Sequence, residues 1–242
     1  MRSSKSKMKT AISDIPATEA AKYIEKKLIV HSHEKILFFV SAGSAMAVLE
    51  NISSYYLHPN ITIAFADDRF TNKQEGNNYL QLQQTDFYKR AQNKNVKFIE
   101  SNPIDQESYT AYIERINSSL RDLYIKSPNA YVLGIFGIGE DGHTASIFPS
   151  NEEQFSAAYL QTEDFFIQTT AQNSEYPQRG SITPRIIEEL IEDVVLYAVG
   201  ENKCDTILNY MHNKNFAVHQ IPALIPAQHP QSILFTDCMT LT

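Results

Sequence analysis

The sequence predicts an α/β fold: a Rossmann-like, mainly parallel sheet with helices on both faces, in a single compact domain. Three observations predict it. Apolar runs alternate with amphipathic stretches along all 242 residues, as βαβ crossovers require. Several runs are apolar at consecutive positions, the pattern of strands covered on both faces. The length suits one large α/β unit, and 43% hydrophobic with 11% aromatic residues supplies a sizeable core, which excludes an intrinsically disordered chain.

The elements follow in order. Residues 1–12 carry Arg2, Lys5, Lys7 and Lys9 with no apolar stretch behind them, so they read as a flexible basic tail and not as a secretory signal. Residues 13–242 form the domain. A helix is predicted over 16–30, where Pro16 suits the first turn and Ala20, Ala21, Ile24 and Leu28 make one apolar stripe. Further helices are predicted over 44–51, 77–91, 105–125, 183–192 and 202–212. Strands are predicted over 36–40, 61–65, 96–99, 131–136, 165–168, 194–199 and 232–235.

Charge and cysteine narrow the function classes. A net charge of −7, with 21 basic against 28 acidic residues and no basic face, disfavours a nucleic-acid partner. An anionic ligand must then be caught by a few positioned cations. No 18-residue apolar run occurs, so no membrane partner is expected. Cys204 and Cys238 lack a CxxC partner and metal-ligand spacing, and both are expected as reduced, buried thiols of a cytoplasmic protein. His31, His33, His58, His212, His219 and His229 show no ligand spacing, and no metal is expected.

Ligands of open parallel sheets bind at the carboxyl ends of the strands, so the loops there carry the functional reading. Ser41-Ala42-Gly43-Ser44 follows the first strand; its backbone N–H groups and hydroxyls suit an anion, or an ordinary helix cap. Asp67-Asp68-Arg69 follows the second and offers carboxylates for a base and a guanidinium for an anion, or a solvated turn.

The fourth strand runs into the richest segment. Glycine is scarce, 8 of 242 residues against an average near 7%, yet Gly134, Gly137, Gly139 and Gly142 crowd within nine positions. Residues 137–142 satisfy G-x-G-x-x-G, which raises a dinucleotide site, but Pro149 cuts short the helix such a site needs and no acidic residue ends the next strand. Asp141-Gly142-His143 offers a carboxylate and an imidazole that can converge on one substrate, and imidazole suits proton transfer near neutrality. Arg179, in a later loop, and Lys203, opening the helix behind the sixth strand, lie where a phosphate clamp can form, though each singly reads as a surface cation.

Gly137–Pro149 resembles the signature of the 6-phosphogluconolactonases, within the sugar-phosphate isomerase superfamily that includes glucosamine-6-phosphate deaminase. The Thr144–Pro149 continuation is lactonase-like; the deaminases normally continue into an Asn-Glu-Pro type segment. Ser41–Ala45 resembles the family's Ser-Gly-Gly-Ser-Thr loop, Asp67–Arg69 its Asp-Glu-Arg, Asn77–Tyr79 its Ser-Asn-Tyr, Arg179–Thr183 its Arg-Val-Thr-Leu-Thr, Gly200–Lys203 its Gly-x-x-Lys, and Ile221–Leu224 its Leu-Pro-Ala. The chain departs from the pattern at Ala42 and Ala45, at the shorter Asp68, and at Glu175-Tyr176-Pro177, where the family carries Lys-Pro-Pro.

The resemblance implies hydrolysis of 6-phospho-D-glucono-1,5-lactone without a cofactor, by a monomer or small homo-oligomer. His143 is the implied base, with Asp141 or Asp67 orienting it and glycine-turn N–H groups facing the oxyanion. Ser41, Gly43, Ser44, Arg69, Gly142, Arg179 and Lys203 are the implied substrate contacts. The alternatives are a deaminase of the same fold, or a non-catalytic sugar-phosphate-binding protein.

Overall fold

In the computed structural model, residues 8–208 and 216–239 are described. A seven-stranded sheet, parallel throughout, runs in the order β1-β10-β9-β6-β2-β3-β5, with β1 Lys9–Ile12, β2 Ile36–Val40, β3 Ile61–Phe65, β5 Lys97–Phe98, β6 Tyr131–Phe136, β9 Asp193–Tyr197 and β10 Ser232–Thr236. The mainly parallel sheet predicted from the sequence is therefore present. A small antiparallel sheet, β4-β8-β7, is built from β4 Asp67–Arg69, β7 Phe166–Thr170 and β8 Gln178–Ile182.

Alternation along the central strands builds two cores. In β2 all five residues are buried; Ile36, Phe38 and Val40 face one cluster, Leu37 and Phe39 the other. The first cluster is closed by helices α1 Pro16–Val30, α2 Met46–Asn51, α3 Asn78–Leu82 and α4 Asp86–Asn93. The second is closed by α5 Tyr109–Lys126, α6 Glu152–Phe155, a π-helical turn over Ile186–Leu190 and the short α8 Leu224–Ala227. Helix α7, Glu201–Thr206, stands at the carboxyl edge behind β9. Each fully buried side chain of Phe38 size contributes roughly 1.5–3 kcal/mol.

Several elements differ from expectation for identifiable reasons. The predicted helix over 77–91 breaks in two because Thr85 caps a new start, accepting the Tyr88 N–H at 3.1 Å. The predicted 105–125 helix begins at Tyr109, where Ser108 caps the Ala111 N–H. The helix over 44–51 opens with a 3-10 turn, Gly43–Ala45, and the predicted 183–192 helix is shortened to 184–190, most of it the π-helical turn. Residues 9–12, assigned to the tail, form edge strand β1 on β10. The end of the predicted 202–212 helix lies outside the described residues.

The cysteine expectation is overturned: Cys204 and Cys238 are joined in a disulfide across 34 residues. The two approach because α7 and the segment after β10 converge at one end of the sheet, a tertiary relation invisible in spacing. The expectation of a reducing compartment loses its cysteine argument with it.

At the opposite, amino end of the sheet, Asp193 organises a buried polar cluster. It accepts from Lys27 Nζ at 2.8 Å, Tyr23 OH at 2.7 Å and Tyr131 OH at 2.6 Å. Burial raises its carboxyl pKa, but hydrogen bonds from Lys27, Tyr131 and Tyr23 outweigh that and hold it below the usual carboxylate range. The folded state thus binds fewer protons here than the unfolded chain. The stabilisation is complete above the ordinary aspartate value near 4 and is lost as pH falls through the lower folded value. Asp193→Ala leaves two phenols and an ammonium without their acceptor, and should cost about 2–4 kcal/mol in urea denaturation at pH 7, with the difference shrinking as pH falls through the lowered folded value.

Candidate active site

The chain goes from β2 outward to β3 and β5, then returns to β6 on the other side of β2. That reversal is the topological switch point, where ligands of open α/β sheets bind. The loops after β2 and β6 meet there and line a cavity of about 670 Å³. Its walls include Ser41, Gly43, Ser44, Asp67, Arg69, Asp141, His143, Arg179 and Lys203. Of the ten site residues predicted from the sequence, only Gly142 is absent from the wall; at φ +83° it makes the turn instead.

The stretch after β6 is a tight turn and not a helix start. Gly139 N–H donates to the His143 carbonyl at 2.8 Å, Gly142 N–H to the Gly139 carbonyl at 3.0 Å, and Ala223 N–H to the Gly142 carbonyl at 2.9 Å. Between β6 and Glu152 no helix begins, so the G-x-G-x-x-G spacing presents no helix N-terminus to a pyrophosphate. The same bonds correct one expectation: the N–H groups of Gly139, Gly142 and His143 are engaged inside the turn and do not face an oxyanion.

The turn brings Asp141 and His143 together. Asp141 Oδ1 accepts the His143 backbone N–H at 3.0 Å and lies 2.5 Å from the ring Nδ1. Partial desolvation raises the Asp141 pKa, but the hydrogen bond and charge of His143 prevail and hold it below the usual range. A carboxylate at Nδ1 fixes the proton there and leaves Nε2 as the basic nitrogen. The imidazole also packs 5.3 Å, ring centre to ring centre, from Phe148.

Asp67 has a different partner. Its Oδ2 accepts from Ser146 Oγ at 2.6 Å, and Ser146 is turned inward by a tight turn in which Ile147 N–H reaches the Thr144 carbonyl and Ala145 adopts φ +49°. Along β4 the side chains alternate: Asp67 and Arg69 reach the cavity wall, while Asp68 is wholly buried. Burial pushes the Asp68 carboxyl up to about 7, against hydrogen bonds from Ser101 Oγ and the N–H groups of Asn78, Arg69 and Tyr79. Asp68 therefore fastens the start of α3 to β4 and does not meet a substrate.

Register explains the positive wall. Arg69 on β4 pairs directly with Arg179 on antiparallel β8, which sets two like charges side by side. Their hydrogen bonds go to neutral acceptors: Arg69 Nη1 to the Gly76 carbonyl at 2.9 Å, Arg179 to the Tyr176 carbonyl at 3.2 Å and Ser174 Oγ at 3.0 Å. Burial, and then the charge of Arg69, lower the Arg179 pKa. Arg69 Nε is buried without an acceptor. Two adjoining guanidinium groups whose hydrogen bonds go only to neutral acceptors are suited to a multiply charged anion. Lys203 reaches the same cavity from α7, whose Asn202 side chain donates to Glu140 Oε1 on the glycine turn.

The family profile described as glucosamine-6-phosphate isomerases/6-phosphogluconolactonase matches residues 12–234. The chain belongs to this family. A curated relative, the 6-phosphogluconolactonase of Borreliella burgdorferi, is 29% identical over 110 residues, a match that spans 45% of this chain and 43% of that protein. Among solved structures, a 6-phosphogluconolactonase from Shewanella baltica superposes with TM-score 0.74 at 18% identity over 95% of each chain. The enzyme of that name from Plasmodium vivax gives 0.73 at 13% identity, over 94% of this chain and 89% of its own. These structural likenesses establish the shared fold.

Sequence reasoning missed four polar cavity residues, Glu140 of the glycine turn and Asn78, Tyr197 and Asn202 elsewhere. Asn78 had a signal, its place in the Ser-Asn-Tyr-like station. Tyr197 and Asn202 stand at a strand end and a helix start with no pattern of their own.

Proposed function

We propose that this chain hydrolyses 6-phospho-D-glucono-1,5-lactone to 6-phosphogluconate. The observation that carries the reading is the Asp141–His143 pair, set in the same cavity as Arg69, Arg179 and Lys203. The lactonase-like Thr144–Pro149 segment and the family membership support it.

In this reading Asp141 holds the Nδ1 proton and His143 Nε2 takes a proton from water as its oxygen bonds to C1. The C1–O5 bond then breaks, and the imidazolium returns that proton to O5. The products are the C5 hydroxyl and a carboxylic acid that ionises in water, so one water is consumed per lactone. With the N–H groups of Gly139, Gly142 and His143 engaged inside the turn, Arg69 supplies the positive charge toward the developing oxyanion. Arg179, Lys203 and Ser44 hold the phosphate, with Gly43, at φ +65°, shaping the loop.

Lys203→Ala and Arg179→Ala should each raise KM by about 10–100-fold with a smaller change in kcat. Unchanged KM in both variants would place the phosphate elsewhere. The reaction class is tested by comparing two substrates. Acid release from freshly generated lactone above the spontaneous rate is expected, with no ammonia from glucosamine 6-phosphate. Ammonia release would make the deaminase reading the correct one.

A further inference from the structure

Asn78 opens α3 and is 2% exposed, yet it forms part of the cavity wall beside Asp67 and Arg69. Its backbone N–H donates to Asp68 Oδ1 at 2.6 Å, and its side-chain Nδ2 donates to the Asp67 carbonyl at 2.9 Å. That second bond fixes the orientation of the amide, because the reverse would set two acceptors against each other. The consequence is a buried Oδ1 with no hydrogen-bond partner from the protein. Ser41 Oγ, on the same wall, is likewise buried and unpartnered. A buried acceptor without a donor is costly, about 1–3 kcal/mol, and is rare enough in native proteins to need a reason.

The chemistry of Oδ1 narrows what completes it. A carboxamide oxygen only accepts, and so do the oxygens of a phosphate dianion. The phosphate therefore cannot be its partner, and a hydroxyl can. We infer that Asn78 Oδ1 accepts a hydrogen bond from a ring hydroxyl of the substrate, which makes Asn78 a specificity-determining residue at the sugar end of the cavity. The assignment rests on the lactone-hydrolysis reading.

The test compares kcat/KM for the parent lactone with its 2-, 3- and 4-deoxy analogues, in the wild-type protein and in Asn78→Ala. A site built to bind a hydroxyl rejects the analogue that lacks it. The wild type is expected to lose about 10–100-fold on one analogue, and Asn78→Ala to lose less than about threefold on that analogue while acting on the parent at a reduced rate. A merely structural role for Asn78 would lower every substrate alike and leave the wild-type discrimination intact, which would overturn the inference. Competitive inhibition by inorganic phosphate should be unchanged in the variant; a tenfold weakening would place Asn78 at the phosphate end and also overturn it.

A crystal structure of the wild-type protein with 6-phosphogluconate decides the matter if Asn78→Ala does not fold, or if the wild type proves inactive on the lactone. A ligand hydroxyl within hydrogen-bonding distance of Oδ1 is expected. A bound ligand with no hydroxyl at Oδ1 would refute the contact. Inactivity of the wild type, by contrast, would count against the parent reading.

Discussion

Replacing His143 with alanine should lower kcat by about 10²–10⁴-fold, the usual contribution of a positioned general base. The expectation follows from geometry: Asp141 Oδ1 is 2.5 Å from Nδ1, which leaves Nε2 as the nitrogen able to accept a proton from water. Asp141→Asn should also lower kcat, because an amide can present its NH2 to Nδ1 and favour the opposite tautomer. KM should change little in either variant, since neither side chain is assigned to the phosphate. Steady-state kinetics with circular dichroism to verify folding checks both. A His143→Ala variant that folds and keeps near-normal kcat would remove the imidazole from the role of base.

Gly139→Ala should be nearly as damaging, although the residue carries no chemistry. A Cβ at this position would lie 2.7 Å from Asp141 Oδ1 and closer still to the imidazole Nδ1. Carbon cannot occupy that space, so the dyad must move off its hydrogen bond or the turn must open. A displacement of about 1 Å in a catalytic group can cost 10²-fold in rate, and a fall of about that size in kcat is expected. Thermal stability should decline by only a few degrees, because the added Cβ would press on the side chains of Asp141 and His143 and not on the apolar cores. Equal kcat in wild type and Gly139→Ala would show that the close Asp141–His143 contact is not needed. Gly137, where a Cβ would meet nothing within 4 Å, supplies the matched control.

The parts of the fold legible in the sequence are those where local physics and burial agree. Helix α1 begins at Pro16 and ends at Val30 as predicted, because proline favours a first turn and the alanine-leucine stripe finds a core to face. Strands β2, β3 and β6 match their predicted ranges because unbroken apolar runs tolerate no exposed side. Strand β4 was not legible: Asp67-Asp68-Arg69 alternates between a polar cavity and a buried carboxylate, and neither side carries an apolar signal. The arginine pair depends on the β4–β8 register, which joins residues 110 positions apart. The Cys204–Cys238 link is tertiary in the same way. The Asp141–His143 pair was legible because Asp-x-His is local, but which carboxylate meets the imidazole was not. Asp67 and Asp141 line the same cavity, and their partners separate them, His143 for Asp141 and Ser146 for Asp67.

The central claim is that this cavity accelerates lactone hydrolysis through His143. The most direct measurement follows the disappearance of freshly generated 6-phosphogluconolactone by ¹³C NMR at constant pH, with the wild-type protein, with His143→Ala and without protein. The wild type should shorten the lifetime of the lactone severalfold or more even at low protein concentration, and His143→Ala should return it close to the spontaneous value. A wild-type protein that binds 6-phosphogluconate yet leaves the lactone lifetime at the spontaneous value would contradict the account and make the chain a sugar-phosphate-binding protein.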